Sequence, residues 1–294
     1  MRALQGAIRL IARVETGSST HAVACLPAMP WERLLAGRPM QDIPRTLALL
    51  HPLAPQTHAT TARAAIAAAS GMRHVPAPEA HVALVREQAR EHGIYFLMTL
   101  PEALGLAPDA ALAQTLARIT ATCDRDTLAS SLQAQLAGMA GANARAAPGN
   151  NPVAPSSYPG LLLAELGARL PEGTPQQLAS RVLARRWRAL HALPRLLYAP
   201  PGRNLRTGGA SGTGWACLPS ARGLLAHRLT LADGQFAAYR LDTPTMRHFA
   251  PTGPWAQAMQ SAIFQDTAAA QAAGALLAAV LDPCLPVIMA GKCT

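Results

Sequence analysis

The sequence is poor in aromatic and charged residues, and it contains a single lysine. Aromatic residues make up 4% of the 294 residues and charged residues 14%, whereas 50% are hydrophobic. This composition excludes an intrinsically disordered chain. Lys292 is the only lysine among 26 basic residues, so arginine carries nearly all of the net charge of +10. A core rich in alanine and leucine and poor in aromatics predicts many closely packed helices.

The positive charge does not by itself indicate a nucleic-acid-binding protein. The arginines are scattered, which disfavours this function. Salt-sensitive binding to DNA would support it. Their densest cluster, RVLARRWRAL at 181–190, is typical of a solvated helix face, and a docking surface for an acidic partner protein is the alternative. The 5 cysteines are widely spaced and no CxxC or HExxH motif occurs, so neither a disulfide framework nor a common zinc site is predicted.

The sequence also lacks a hydrophobic run long enough to cross a membrane. Its most apolar helical segment, 267–281, is shorter than the ~20 residues that a span needs. Arg2, Arg9 and Arg13 interrupt the apolar part that a leader peptide would have. We therefore expect a cytoplasmic protein without a membrane span.

Hydrophobic periodicity predicts two small antiparallel β elements among helices. A period of two at 6–17 predicts a strand with a hairpin partner in 20–28, and 223–245 is a second hairpin around Asp233-Gly234. Predicted helices cover 31–36, an alanine-rich segment ending at Gly71, 78–92, 108–120, 125–140, 175–193 and about 256–281.

Two segments rich in glycine, proline or small polar residues are predicted to lack regular structure. The segment 138–160 is a possible flexible linker within a single domain spanning 1–294. The glycine-rich segment 199–214 is predicted to be a loop that leads into a strand. It lacks the Lys-Ser/Thr ending of a phosphate-binding loop, which disfavours nucleotide binding.

Three segments, taken in their order along the chain, resemble the large subunit of nickel–iron hydrogenases. The residues that match the family's motifs are Gly37, Arg38, Asp42, Pro44 and His58, then Ala221, Arg222, Gly223 and His227, and finally Asp282, Pro283 and Cys284. The resemblance covers the two ends of the chain, and residues 75–200 do not match. It implies an α+β, mainly α fold: a reduced large-subunit-like helical bundle with small antiparallel β elements from 6–26 and 223–245.

The departures from the family pattern fall on its metal ligands. One family cysteine pair falls on His51 and Ala54, and the other on Cys284 and Val287. In the family the second cysteine of each pair bridges nickel and iron. Alanine and valine have no lone pair to offer a metal, so we expect no stable nickel–iron centre and no hydrogen cleavage by this chain.

The retained residues resemble those of hydrogenase assembly proteins of the HupK/HoxV type. The resemblance places Arg222 beside the cyanide ligands of an iron, with His58 as a further cofactor-binding residue. A guanidinium suits an anionic cyanide. Cys284 would be a thiolate ligand of that iron, and His51 would add a nitrogen ligand.

This resemblance implies a non-catalytic accessory protein in nickel–iron hydrogenase maturation. Such a protein would accept an Fe(CN)2(CO) unit from a small HypC-type maturation chaperone and its iron-ligand assembly partner. It would hold that unit transiently and transfer it to the hydrogenase large-subunit precursor. The alternative is a metal-free, large-subunit-like protein that only docks to assembly partners. The sequence leaves open which hydrogenase is served, whether His51 or Cys293 ligates iron, and the oligomeric state.

Overall fold

The computed structural model describes residues 6–15, 20–27, 31–35, 38–141, 158–232 and 235–290. The chain divides into two compact units, each assembled from separate stretches. The first unit comprises Met1–Pro27, His92–Pro194 and Thr245–Thr294, and the second comprises Ala28–Glu91 and Arg195–Pro244. Of the predicted linker 138–160, residues 142–157 lie outside the described residues, as do Gly37, Asp233, Gly234 and Cys293. The single domain stays a prediction.

Helices dominate the described residues, and the strands are short. The strands are β1 (Ile8–Val14), β2 (Thr20–Cys25), β3 (Arg206–Ala210), β4 (Thr213–Ser220), β5 (Gly223–Ala232), β6 (Gln235–Asp242) and β7 (Val287–Met289). The helices are α1 (Trp31–Leu35), α2 (Ile43–Leu50), α3 (Pro55–Ala69), α4 (Pro78–Ile94), α5 (Leu100–Ala103), α6 (Ala110–Thr122), α7 (Arg125–Gly141), α8 (Tyr158–Arg169), α9 (Thr174–Leu196), α10 (Pro244–His248), α11 (Pro254–Gln260) and α12 (Thr267–Leu281). Within the described part of the chain, no helix combines the length and the apolar character that a membrane span requires.

The first unit places two helices on a three-stranded sheet with the order β2-β1-β7. Strand β1 pairs antiparallel with β2, as its period-two pattern predicts, and parallel with β7, which the sequence did not predict. Helix α11 packs on β2 and α12 on β1. Trp255 of α11 is fully buried and its Nε1 donates to the carbonyl of Gly274 in α12 at 2.9 Å. These contacts fix the carboxyl end of α12, where Asp282 and Cys284 follow.

The second unit packs α3 on a four-stranded antiparallel meander with the order β3-β4-β5-β6. Small residues allow this helix and sheet to approach closely. A Cβ at Gly214 would overlap the backbone of Ala65 and Ala69, and one at Gly209 would lie 2.8 Å from the carbonyl oxygen of Ala68. The alanine-rich face of α3 is thus matched to glycines in the sheet.

Two predictions of local structure were wrong. The glycine-rich segment 199–214 is not a loop throughout, because β3 and the start of β4 lie within it and its glycines serve close packing. The helix predicted at about 256–281 is two helices, α11 and α12. Asp266 begins the second of them, where its side-chain oxygen accepts from the backbone N–H of Ala269 at 2.7 Å.

Candidate functional site

Three histidines from separate elements of the second unit come together. His51 ends α2, His58 lies in the first turn of α3, and His227 lies in β5. The rings of His51 and His58 stack with centroids 3.7 Å apart and an interplanar angle of 4°. The ring of His227 lies 5.2 Å from that of His58. We call these three residues the histidine cluster, and two of them, His51 and His58, were predicted as site residues.

The environment keeps the histidine cluster neutral. Burial lowers the pKa of His51 to about 4 and that of His227 to about 3. The pKa of His58 is lowered well below its usual value by burial and by the neighbouring charges of His51 and His227. A neutral imidazole is the form that ligates metals. The Nδ1 atom of His58 and the Nε2 atom of His227 are buried without a hydrogen-bond partner among the described residues.

Tyr239 orients the third ring of the cluster. Its hydroxyl is hydrogen-bonded to Nδ1 of His227, and its ring packs edge-on to the imidazole at 5.6 Å. Burial raises the pKa of Tyr239 well above its usual value, so the phenol stays neutral. The alternation Leu225-His227-Leu229 in β5 places His227 on the buried face of the strand, and this period-two pattern is the sequence signal for its burial.

Arg222 lies in the turn between β4 and β5 and forms an ion pair in the second unit. Its Nη1 atom lies 2.9 Å from Oε2 of Glu91, and the two side chains are 12% and 4% exposed. The other carboxylate oxygen of Glu91 accepts from Nη2 of Arg90 at 3.2 Å. A guanidinium held in this way is fixed in position and partly neutralised. Its role beside cyanide stays a prediction.

Cys284 belongs to the first unit, and its thiol is partly buried. The hydroxyl of Thr245 donates to its sulfur at 3.2 Å, and the backbone N–H of Cys284 donates to the same hydroxyl oxygen at 3.0 Å. This reciprocal pair fixes the thiol and places a donor where it would stabilise negative charge on sulfur. Sequence reasoning missed Thr245, which is distant in the chain.

Asp282, which precedes Pro283 and Cys284, anchors the end of α12. It adopts a left-handed conformation with φ 50° and ψ 67°, so the helix ends at Leu281, as Pro283 predicts. Its Oδ2 atom accepts from Nη1 of Arg186 at 2.8 Å. The two residues are 96 positions apart, and neither was predicted to pair with the other.

The two positions matched to the bridging cysteines have structural roles in the backbone. Ala54 immediately precedes α3, and the backbone N–H of His58 donates to its carbonyl at 3.0 Å. Val287 lies in β7 and pairs with Ile8 of β1. Within the part of the chain that the structure describes, no three His, Cys, Asp or Glu side chains are grouped so that they could hold a metal ion. The assignment of Cys284 and His51 to iron therefore stays a prediction.

The predicted site residues fall in both units. His51, His58 and Arg222 belong to the second unit, and there the structure brings the two histidines into contact. Cys284 belongs to the first. Within each unit, burial and hydrogen bonds hold the predicted site residues in place.

The chain is similar to known proteins in part of its sequence and in its fold. No family model matches the chain. A segment of 73 residues is 36% identical to the hydrogenase expression/formation protein HupK of Rhizobium leguminosarum bv. viciae. That match covers 24% of this chain and 20% of the relative, so it spans a fifth of the length of that protein.

Solved hydrogenases cover nearly the whole chain. The NAD+-reducing NiFe-hydrogenase in its H2-reduced state superimposes with a TM-score of 0.54 at 12% identity, over 93% of this chain and 94% of that one. The reduced, active Ni-Fe-Se hydrogenase of Desulfomicrobium baculatum gives 0.53 at 12% identity, over 93% and 95%. These similarities confirm the predicted fold, which is mainly α with small sheets and is that of the nickel–iron hydrogenase large subunit.

Proposed function

We propose that this chain is a non-catalytic accessory protein of nickel–iron hydrogenase maturation that holds an Fe(CN)2(CO) unit as cargo. The observation that carries the proposal is the state of the two cysteine-pair positions. Cys284 is a partly buried thiol positioned by Thr245, whereas Ala54 and Val287 occupy the bridging positions with apolar side chains. The large-subunit fold and the segment similar to HupK support the same conclusion.

The side chains suit a single low-spin iron rather than two metals. The thiolate of Cys284 is a soft ligand, and the neutral imidazole of His51 would supply a nitrogen. Arg222 would donate to an anionic cyanide nitrogen, with its guanidinium held in place by Glu91. His58 stacks on His51 and would fix the orientation of that ring.

Weak binding of the iron unit would favour its transfer. With one protein thiolate where the catalytic subunit has four, the iron unit would leave readily when a site with more thiolates is offered. We propose that a small HypC-type chaperone and its iron-ligand assembly partner deliver the unit, and that the hydrogenase large-subunit precursor receives it.

Infrared spectroscopy of the protein co-produced with the maturation machinery tests this function. We expect iron together with cyanide and carbon monoxide stretching bands in the purified wild-type chain. Cys284→Ala should lose the bands and abolish hydrogenase maturation in cells. Cys123→Ala is the matched control, because Cys123 is also a partly buried thiol of the first unit. Full maturation with Cys284→Ala would contradict the role of this thiol.

A second candidate is a metal-free protein that docks to assembly partners. The observation in its favour is the ion pair between Arg222 and Glu91, which already gives the guanidinium an anionic partner. In this case the purified chain carries neither iron nor the infrared bands, and Cys284→Ala supports normal maturation. Copurification of the hydrogenase precursor with both the wild-type and the Cys284→Ala chain would complete the evidence for docking alone.

A further inference from the structure

Arg186 of the first unit is a buried arginine with only part of its hydrogen-bonding capacity used. It is 1% exposed. Its Nη1 atom donates to Asp282 at 2.8 Å, and its guanidinium carbon lies 3.6 Å from the ring centroid of Tyr95. The Nε and Nη2 atoms are buried without a hydrogen-bond partner among the described residues. A buried donor without an acceptor lowers the stability of the fold, so an acceptor bound at these two atoms would be stabilising.

The geometry of Nε and Nη2 indicates which kind of acceptor would fit them. Nε and Nη2 lie on one edge of the guanidinium and point their hydrogens in parallel. Such a fork matches two oxygens of a single carboxylate or phosphate. Asp282 occupies Nη1 and the Tyr95 ring covers one face, so an acceptor for the other two donors would lie in the guanidinium plane beside Nε and Nη2.

Further cationic groups surround the same region. Arg185 precedes Arg186 in α9, and Arg247 and His248 lie in α10. Burial and the charges of Arg185, Arg247 and Arg186 lower the pKa of His248 to about 4. The pKa of Arg185 is lowered by burial and by repulsion from Arg186 and Arg247. The charges of Arg185, Arg186 and Arg247 therefore lie near enough to one another and to His248 to interact.

The cationic region extends from the interior to the surface. Arg186 is buried, and Arg247 and His248 are partly exposed. Arg185 keeps part of its side chain at the surface, although its guanidinium is partly desolvated.

We propose that Arg186, with Arg185, Arg247 and His248 around it, binds a small oxyanion that presents two oxygens, either a carboxylate or a phosphate. The oxyanion accepts from Nε and Nη2 of Arg186 and offsets the surrounding positive charge. The proposal does not depend on the proposed function, since neither Arg186 nor the three residues named with it are among the predicted cargo ligands.

Anion-dependent stability of the purified full-length chain tests the site. Thermal unfolding and calorimetric titration are measured with sodium acetate, with sodium phosphate and with sodium chloride at equal ionic strength. We expect a saturable rise in Tm with acetate or phosphate that chloride does not produce. Tighter binding of acetate would identify a carboxylate site, and tighter binding of phosphate would identify a phosphate site.

Arg186→Lys distinguishes the contribution of the two parallel donors from that of the positive charge. Lysine keeps a cation that can pair with Asp282 but lacks the two parallel donors, so the affinity should fall about 10-fold or more. Arg188→Lys, an exposed arginine of the same helix, is the matched control and should bind as the wild type does.

Should Arg186→Lys fail to fold, Arg185→Gln removes a cation at the exposed end of the region and should weaken binding several-fold. Equal effects of chloride and the oxyanions would overturn the site. Wild-type affinity in Arg186→Lys, or in Arg185→Gln where that variant is used, would overturn it as well.

Discussion

Asp282→Asn is expected to be among the most destabilising conservative substitutions in the first unit. The side chains of Arg186 and Asp282 are 1% and 10% exposed, and their atoms lie 2.8 Å apart. Asparagine tolerates the left-handed backbone of residue 282, so the variant removes the charge without straining the turn. Leaving a buried guanidinium without its carboxylate costs about 3–5 kcal/mol.

Urea unfolding followed by tryptophan fluorescence measures this loss, since Trp187 and Trp255 both lie in the first unit. With an m value of about 2 kcal/mol/M, the midpoint should fall by about 2 M. Asp282→Ala should lose about 1–2 kcal/mol more, because alanine adopts the left-handed conformation at a cost.

Asp266→Asn at the other end of α12 is the matched control. Asp266 is exposed and caps the helix, and asparagine caps as well, so this change should cost under about 1 kcal/mol. The reasoning is refuted if Asp282→Asn unfolds at the same urea concentration as Asp266→Asn.

Three further predictions concern the fit of two glycines, the hydrogen bond between Tyr239 and His227, and the pH dependence of stability. Gly214→Ala should lower the free energy of unfolding by about 1–3 kcal/mol or more through overlap with α3, whereas Gly138→Ala, in open space on α7, should raise it by about 0.5–1 kcal/mol. Tyr239→Phe should cost about 1–3 kcal/mol in urea unfolding, because it leaves Nδ1 of buried His227 unpaired. Urea unfolding at pH 7, 6 and 5 should show that stability decreases as the pH is lowered. Burial holds the pKa of His227 at about 3, so below the ordinary histidine pKa of 6.5 only the unfolded chain takes up this proton, which costs about 1.4 kcal/mol per pH unit. His51 and His248, whose pKa values burial lowers to about 4, add to the decline. Glu87 opposes part of this loss, since burial raises its pKa to about 7 from 4.5 and the folded chain takes up its proton first, so Glu87→Gln should steepen the decline.

Local rules of sequence account for the parts of the fold that were predicted. The period of two in β1 and the turn between β5 and β6 predict both hairpins, because these features depend on residues close in the chain. Pro283 likewise predicts the end of α12. The strand that follows residue 214 was predicted, whereas β3 and the start of β4 were not. Their glycines fit against a helix far away in sequence, which composition alone does not reveal.

The site was only partly predictable for the same reason. Motif resemblance pointed to His51, His58, Arg222 and Cys284, whose roles stay predictions, but gave no sign of the groups that contact them. A signal for Arg186 did exist: Val182, Arg186, Leu190 and Leu193 follow one face of α9, and an arginine on an apolar face must be buried. Nothing local indicated that Asp282 would be its partner.

The segment that carries Cys284 is short, and contacts on both sides fix its position. The thiol is therefore held in place by the protein itself. On one side, Arg186 holds Asp282 at the end of α12. On the other, Val287 begins a strand that pairs with β1, and the N–H of Ile8 donates to the carbonyl of Pro286 at 2.8 Å. Residue 287, the matched bridging position, is thus held by backbone pairing. A thiol fixed in this way would lose little conformational entropy on binding iron, which favours the proposed capture of the cargo by a single ligand.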